Sequence, residues 1–253
     1  MKIVLVQSHI EWEDIDTNIS KAEKIISRYK DHDLILFPEM SFTGFSMDTG
    51  AFAGKSGSIV GRMKDIAASY HVAVGFGYAR YSSTGCNKCE NVYAVITEDG
   101  RICSEYVKIH PFSYAGEDRY YTGGDRTVVF DLGGIPFSNF ICYDLRFPEV
   151  FRAVADRVHC IIIPANWPAK RSEHWKTLLR ARAVEDQVYI LAVNCQGNIG
   201  GLYYSGDSCI IDPDGNVLGM LSDEEGEMCF EFTDDTEVFR ERFPVLKDIK
   251  TLR

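Results

Sequence analysis

The chain has 253 residues, of which 45% are hydrophobic, and a formal net charge of −10. That length suits one large α/β unit or two small ones, with enough apolar content to bury a sizeable core. The acidic balance argues against a nucleic-acid or anionic-membrane partner but leaves open the sign of charge inside a pocket.

The opening M-K-I-V-L-V-Q carries one lysine and a short apolar run. It is too short for a signal peptide or a membrane span, so a cytoplasmic protein is expected. Residues 2–8 read as a strand. A helix follows over 17–30, with Asp16 as its cap and Ile19, Ala22, Ile26 and Tyr29 on one face. A strand over 33–38, a helix over 58–70 and a strand over 71–80 come next. The G-F-G of V-G-F-G-Y-A lacks a third glycine and a following helix, so it is no dinucleotide loop.

The pattern then changes to consecutive strands. Residues 91–97, E-D-G and 102–109 form a hairpin signature, as do 127–131, G-G and 136–142. Alternation resumes with a helix from Pro148, a strand over 159–164, a long helix over 172–186 and a strand over 188–194. Hairpin chemistry returns in 206–211, D-P-D-G-N, 217–221 and 227–232. Without a linker, repeat or low-complexity stretch, residues 1–253 read as one domain. The mixed order with many hairpins predicts two mixed sheets packed face to face, with helices on the outer faces.

Three strand ends each deliver one reactive group. L-I-L-F-P-E ends on Glu39, Y-V-K-I-H-P-F presents Lys108, and F-I-C-Y-D-L-R-F-P-E presents Cys142 before an expected helix start. A thiol, a carboxylate and an ammonium make a compact acyl-transfer site. A nearby ammonium and a helix start both favour the thiolate, so a lowered Cys142 pKa is expected. Taken alone, Cys142 also reads as a small core residue, Glu39 and Glu117 as solvated loop acids, and Lys108 as a surface lysine. His110 lies two residues from Lys108, but Pro111 ends the strand there, which favours a structural or supporting histidine over a Cys-His pair.

Eight cysteines lie scattered, mostly in apolar runs, and reduced thiols are the expectation. Cys86 and Cys89 form the close pair C-N-K-C. A zinc ribbon would need a second pair, and a redox motif would need to open a helix. The pair still defines the alternative from another class, a thiol-redox or metal-binding protein.

Taken together, the three blocks resemble the nitrilase superfamily of carbon–nitrogen hydrolases, over almost the whole chain. C-Y-D-L-R-F-P-E, P-A-N-W-P-A-K-R-S-E-H-W, A-R-A-V-E-D-Q-V-Y, Y-S-G-D-S and F-R-E-R-F-P look most like its omega-amidase branch. Where the family often has Asn after the glutamate of the A-R-A block, Asp186 stands here. The resemblance implies a four-layer αββα sandwich and a homodimer, acting on a small-molecule amide with no metal or organic cofactor. It implies Cys142 as nucleophile, Glu39 as general base and acid, and Lys108 with the Tyr143 backbone N–H as oxyanion donors. Glu117 would support Lys108, and Asn166 and Trp167 would line the substrate. For a substrate carboxylate Arg146 is the expected partner, with Lys170 and Arg171 as alternatives and an Arg146–Glu149 ion pair as the structural competitor. Another amidase of the superfamily, on N-carbamoyl amino acids or deaminated glutathione, is the nearest alternative activity.

Overall fold

The computed structural model describes residues 1–85 and 87–250. The first half contains β1 (Lys2–Gln7), α1 (Ile15–Arg28), β2 (Leu34–Leu36), α2 (Thr49–Phe52) and α3 (Ser56–Tyr70), then β3 (Ala73–Tyr81), β4 (Cys89–Ile96), β5 (Ile102–Val107) and α4 (Glu117–Tyr120). The second half opens with β6 (Phe130–Leu132), β7 (Ile135–Asn139), α5 (Pro148–Arg152), β8 (Cys160–Ala165), α6 (Ser172–Asp186) and β9 (Tyr189–Asn194). It closes with β10 (Gln196–Ile199), β11 (Leu202–Ser205), β12 (Cys209–Ile211), β13 (Val217–Met220), β14 (Gly226–Glu231) and α7 (Thr236–Arg242).

Two six-stranded mixed sheets result, ordered β14-β1-β2-β3-β4-β5 and β13-β12-β9-β8-β7-β6. The first sheet shows why these strands need two partners. On β1, Ile3 and Leu5 enter the core between the sheets, whereas Val4 and Val6 face a second core under the helices. β2 divides likewise, with Leu34 and Leu36 inward and Ile35 outward. A strand buried on both faces reads as a continuous apolar run, because alternate side chains enter different cores. Ile19, Ala22 and Ile26 of α1 and Ile59, Met63 and Ala67 of α3 close the outer core. On the far side, Phe151 of α5 and Trp175, Leu179 and Ala183 of α6 cover the second sheet. The layers are therefore helix, sheet, sheet, helix, as expected.

Several boundaries differ from expectation. The α1 cap is Asp14, whose side chain accepts from the Thr17 N–H at 3.1 Å, two residues before the predicted cap. The β10–β11 hairpin and the short helices α2, α4 and α7 carry too few apolar repeats to announce themselves. Because β1, β2 and β3 are parallel and β4 reverses twice through β5, β2 and β5 end at the same edge. β7, β8 and β9 are also parallel, so their carboxyl ends share one edge of the second sheet. Carboxyl ends of parallel strands are where α/β sheets place their ligands.

Candidate active site

Glu39 lies three residues beyond β2, Lys108 follows β5 directly, and Cys142 lies three residues beyond β7. All three are buried, with Glu39 and Lys108 each 1% exposed. Gly77 on β3 makes room for the first of them. A Cβ there would lie 2.4 Å from the Met40 nitrogen and 3.1 Å from the Glu39 Cα, so only glycine lets the chain pass this close. The second glycine of G-F-G thus positions Glu39 rather than a nucleotide.

Lys108 Nζ donates to Glu39 Oε1 at 2.9 Å and to Glu117 Oε2 and Oε1 at 2.9 and 3.1 Å. Asn91 Nδ2 bridges the same two carboxylates, at 2.8 Å to Glu39 and 3.1 Å to Glu117. The second Glu39 oxygen accepts the Asn166 backbone N–H at 2.9 Å. Burial alone would strip the proton from Lys108, but Glu117 and Glu39 hold its pKa well above the ordinary lysine value. Burial also raises the Glu117 carboxyl, opposed by Lys108 and reinforced by Glu39.

The expected low Cys142 pKa is not found. Burial first, then the Glu39 charge, push the thiol well above its ordinary range, and Lys108 only partly opposes them. Two carboxylates flank Lys108, and at the sulfur the Glu39 and Glu117 charges work against it. The expected helix start is also displaced. Residues Cys142–Arg146 form a 3-10 turn, and α5 begins at Pro148. Cys142 itself has φ +47°, a left-handed conformation uncommon for a side-chain-bearing residue. A resting S–H beside a fixed carboxylate calls for proton removal during attack rather than a stored thiolate.

Asp144, absent from the predicted site, holds that strained turn. It accepts from the Ile141 N–H at 3.1 Å, the Tyr106 hydroxyl at 2.8 Å and the His110 N–H at 2.9 Å. The His110 ring adds a 2.8 Å contact and stacks on Phe147 with centroids 3.7 Å apart. His110 is thereby a support for the turn, not a partner of the sulfur. Arg182 of α6 donates to the Leu145 carbonyl at 3.0 Å, which ties the A-R-A block to the same turn. An acid two residues past the cysteine, directly after the run F-I-C-Y, was the available signal for Asp144.

Lys108 and Cys142 line a cavity of about 320 Å³, with Glu39 held behind Lys108. Tyr143, Arg146, Asn166 and Trp167 all line it, together with Lys170 and Arg171. Aromatic side chains form part of its walls, including Phe45, Phe112 and Tyr204. The Arg146 guanidinium sits 5.0 Å from the Trp167 ring centre, and its Nη2 is 3.1 Å from His174 Nδ1. Its contacts are these rather than an ion pair with Glu149, so its charge faces the cavity. Of the C-N-K-C pair, Cys89 is buried on β4, while Cys86 lies outside the described residues. Among the described residues, no three His, Cys, Asp or Glu side chains are grouped to hold a metal ion.

A carbon-nitrogen hydrolase family model matches residues 2–233. The chain belongs to this family. The 2-oxoglutaramate amidase of Bacillus subtilis is 34% identical, covering 98% of this chain and 97% of its own length. Omega-amidase YafV of Escherichia coli K12 is 30% identical, covering 100% and 98%. The crystal structure of XC1258 from Xanthomonas campestris, a CN-hydrolase superfamily protein with an arsenic adduct in its active site, superposes with a TM-score of 0.93 at 28% identity. It covers 100% of this chain and 98% of its own. The family places the chain in the nitrilase superfamily, in its omega-amidase branch, as a hydrolase of non-peptide carbon–nitrogen bonds.

Proposed function

We propose that this amidase cleaves a small linear ω-amide of a dicarboxylic or 2-oxo acid, such as 2-oxoglutaramate, through a thioester on Cys142. The observation that carries this reading is one cavity lined by Cys142 and Lys108 and also by Arg146, Lys170 and Arg171. An amide with a carboxylate at its far end matches such a cavity, because a guanidinium binds a carboxylate through two parallel hydrogen bonds. The names of the Bacillus and Escherichia relatives support the same substrate class.

In this mechanism Glu39 takes the thiol proton as sulfur attacks the amide carbon. Negative charge forms on the carbonyl oxygen and is met by the Lys108 ammonium and the Tyr143 backbone N–H, donors fixed in advance. Glu39 returns the proton to the leaving nitrogen, ammonia departs and a thioester remains. Glu39 then accepts a proton from water as it attacks the thioester, and the acid leaves as sulfur is reprotonated. Glu117 and Asn91 keep Lys108 and Glu39 in register throughout. The domain acts as a homodimer, to be checked by light scattering on the eluted species.

The test is ammonia release across ω-amides, N-carbamoyl amino acids and nitriles. Carboxylate-bearing ω-amides should have the highest kcat/KM. Faster turnover of carbamoyl amino acids would overturn the substrate assignment while leaving the amidase in place.

A further inference from the structure

Asn166 joins the two sheets at the reacting centre. It follows β8 directly, yet its backbone N–H donates to Glu39 Oε2 at 2.9 Å and its side-chain Nδ2 to the Glu39 carbonyl at 2.6 Å. A carbonyl can only accept, so the amide nitrogen must face Glu39 and Oδ1 must point the opposite way. On that side stands the sulfur of Cys195, 3.2 Å from Asn166 Oδ1. Cys195 is fully buried, packed with Ile10, Ile199 and Tyr204.

We infer that Cys195 is a positioning residue, whose S–H donates to Asn166 Oδ1 and thereby holds Asn166, and through it Glu39, in the orientation that serves Cys142. Burial and the Glu39 charge push the Cys195 thiol well above its ordinary pKa, so it keeps the proton it must donate. The role belongs to the side chain alone. The backbone on both sides is anchored separately by Asn194, whose Oδ1 accepts the Trp167 N–H at 2.8 Å and the Cys195 N–H at 3.0 Å. Removing the thiol leaves that anchor intact but strands a buried acceptor on Asn166, which must turn or admit water.

The inference rests on Glu39 as the base for Cys142, and its test separates the two. Cys195→Ala and Cys195→Ser are compared with Cys195→Val and Cys195→Thr, each pair differing in a donor. Three quantities are measured: the rate of Cys142 alkylation by iodoacetamide, located by peptide mass; kcat and KM for the preferred amide; and Tm. Without a donor, alkylation and kcat should fall roughly five- to thirtyfold with KM within about twofold, and Ser should restore most of the loss. If Ala does not fold, the Thr and Val pair decides on the same readouts. Equal rates within each pair, or rates that follow Tm instead of the donor, would overturn the role. If the wild-type protein releases no ammonia, the proposed function fails, while the alkylation rates still decide the place of Cys195.

Discussion

Two buried ionic groups in this molecule use the same ingredients to different ends. At the strand ends, Lys108 meets Glu39 and Glu117, and all four carboxylate oxygens accept at least one N–H. At the end of α6, Asp186 and Arg152 lie 3.1 Å apart, yet neither Asp186 oxygen makes a hydrogen bond. Asp186 is wholly buried, and burial, only partly offset by Arg152, raises its carboxyl to about 7 from an ordinary 3.8. The lesson is that proximity of opposite charges is not enough. Directed hydrogen bonds must replace the water that each ion loses.

Removing Cys142 or parts of the saturated group beside it should have the largest effects. Cys142→Ala should abolish ammonia release while leaving the circular dichroism spectrum unchanged, since no thioester can form. Retention of more than roughly a tenth of wild-type kcat would remove the central claim. Glu39→Gln should be nearly as damaging, because groups that act as a unit lose activity non-additively. Lys108→Ala should in addition lower stability by about 3–5 kcal/mol in urea unfolding, since it strands two buried carboxylates. A stability loss below about 1 kcal/mol would show that water solvates them after all.

Arg146 tests whether the cavity extends the same logic to substrate. Arg146→Met should cost about 2–4 kcal/mol in kcat/KM for a carboxylate-bearing amide, and far less for a neutral amide of equal length. Equal losses on both would make Arg146 structural and shift attention to Lys170 and Arg171.

The unsaturated group should show the smallest effect and the opposite sign. Its folded pKa lies above the unfolded one, so the native state is penalised as pH rises from about 4 through about 7, and the penalty is complete above that. The shift corresponds to about 4 kcal/mol, of which relaxation should leave about 1–3 in a measured value. Asp186→Asn should therefore raise Tm at pH 8, match the wild type at pH 4 and flatten the slope between. Parallel slopes for the two proteins would show that Asp186 is ionised without penalty.

The reactive trio is legible in the sequence because each member ends an apolar run, and strand ends are where chemistry meets solvent in α/β sheets. α6 is legible to the residue, Ser172–Asp186, since a long uninterrupted helix has clear limits. Less legible are Asp144, Asn91, Asn166 as the link to Glu39, and Gly77 as a clearance. Each acts on a partner far along the chain, from 26 residues between Asn91 and Glu117 to 127 between Asn166 and Glu39. Local pattern holds no record of such a partner.

The sequence alone therefore determined which residues could react and the order of the longer strands and helices, through apolar periodicity and the chemistry of three short blocks. The tertiary structure decided the electrostatics. Lys108 looked free to lower the thiol pKa, and only the fold, by burying Cys142 and setting the Glu39 charge near it, raised that pKa in spite of Lys108. Charge acts through space and depends on burial, and neither distance nor burial is written along a chain.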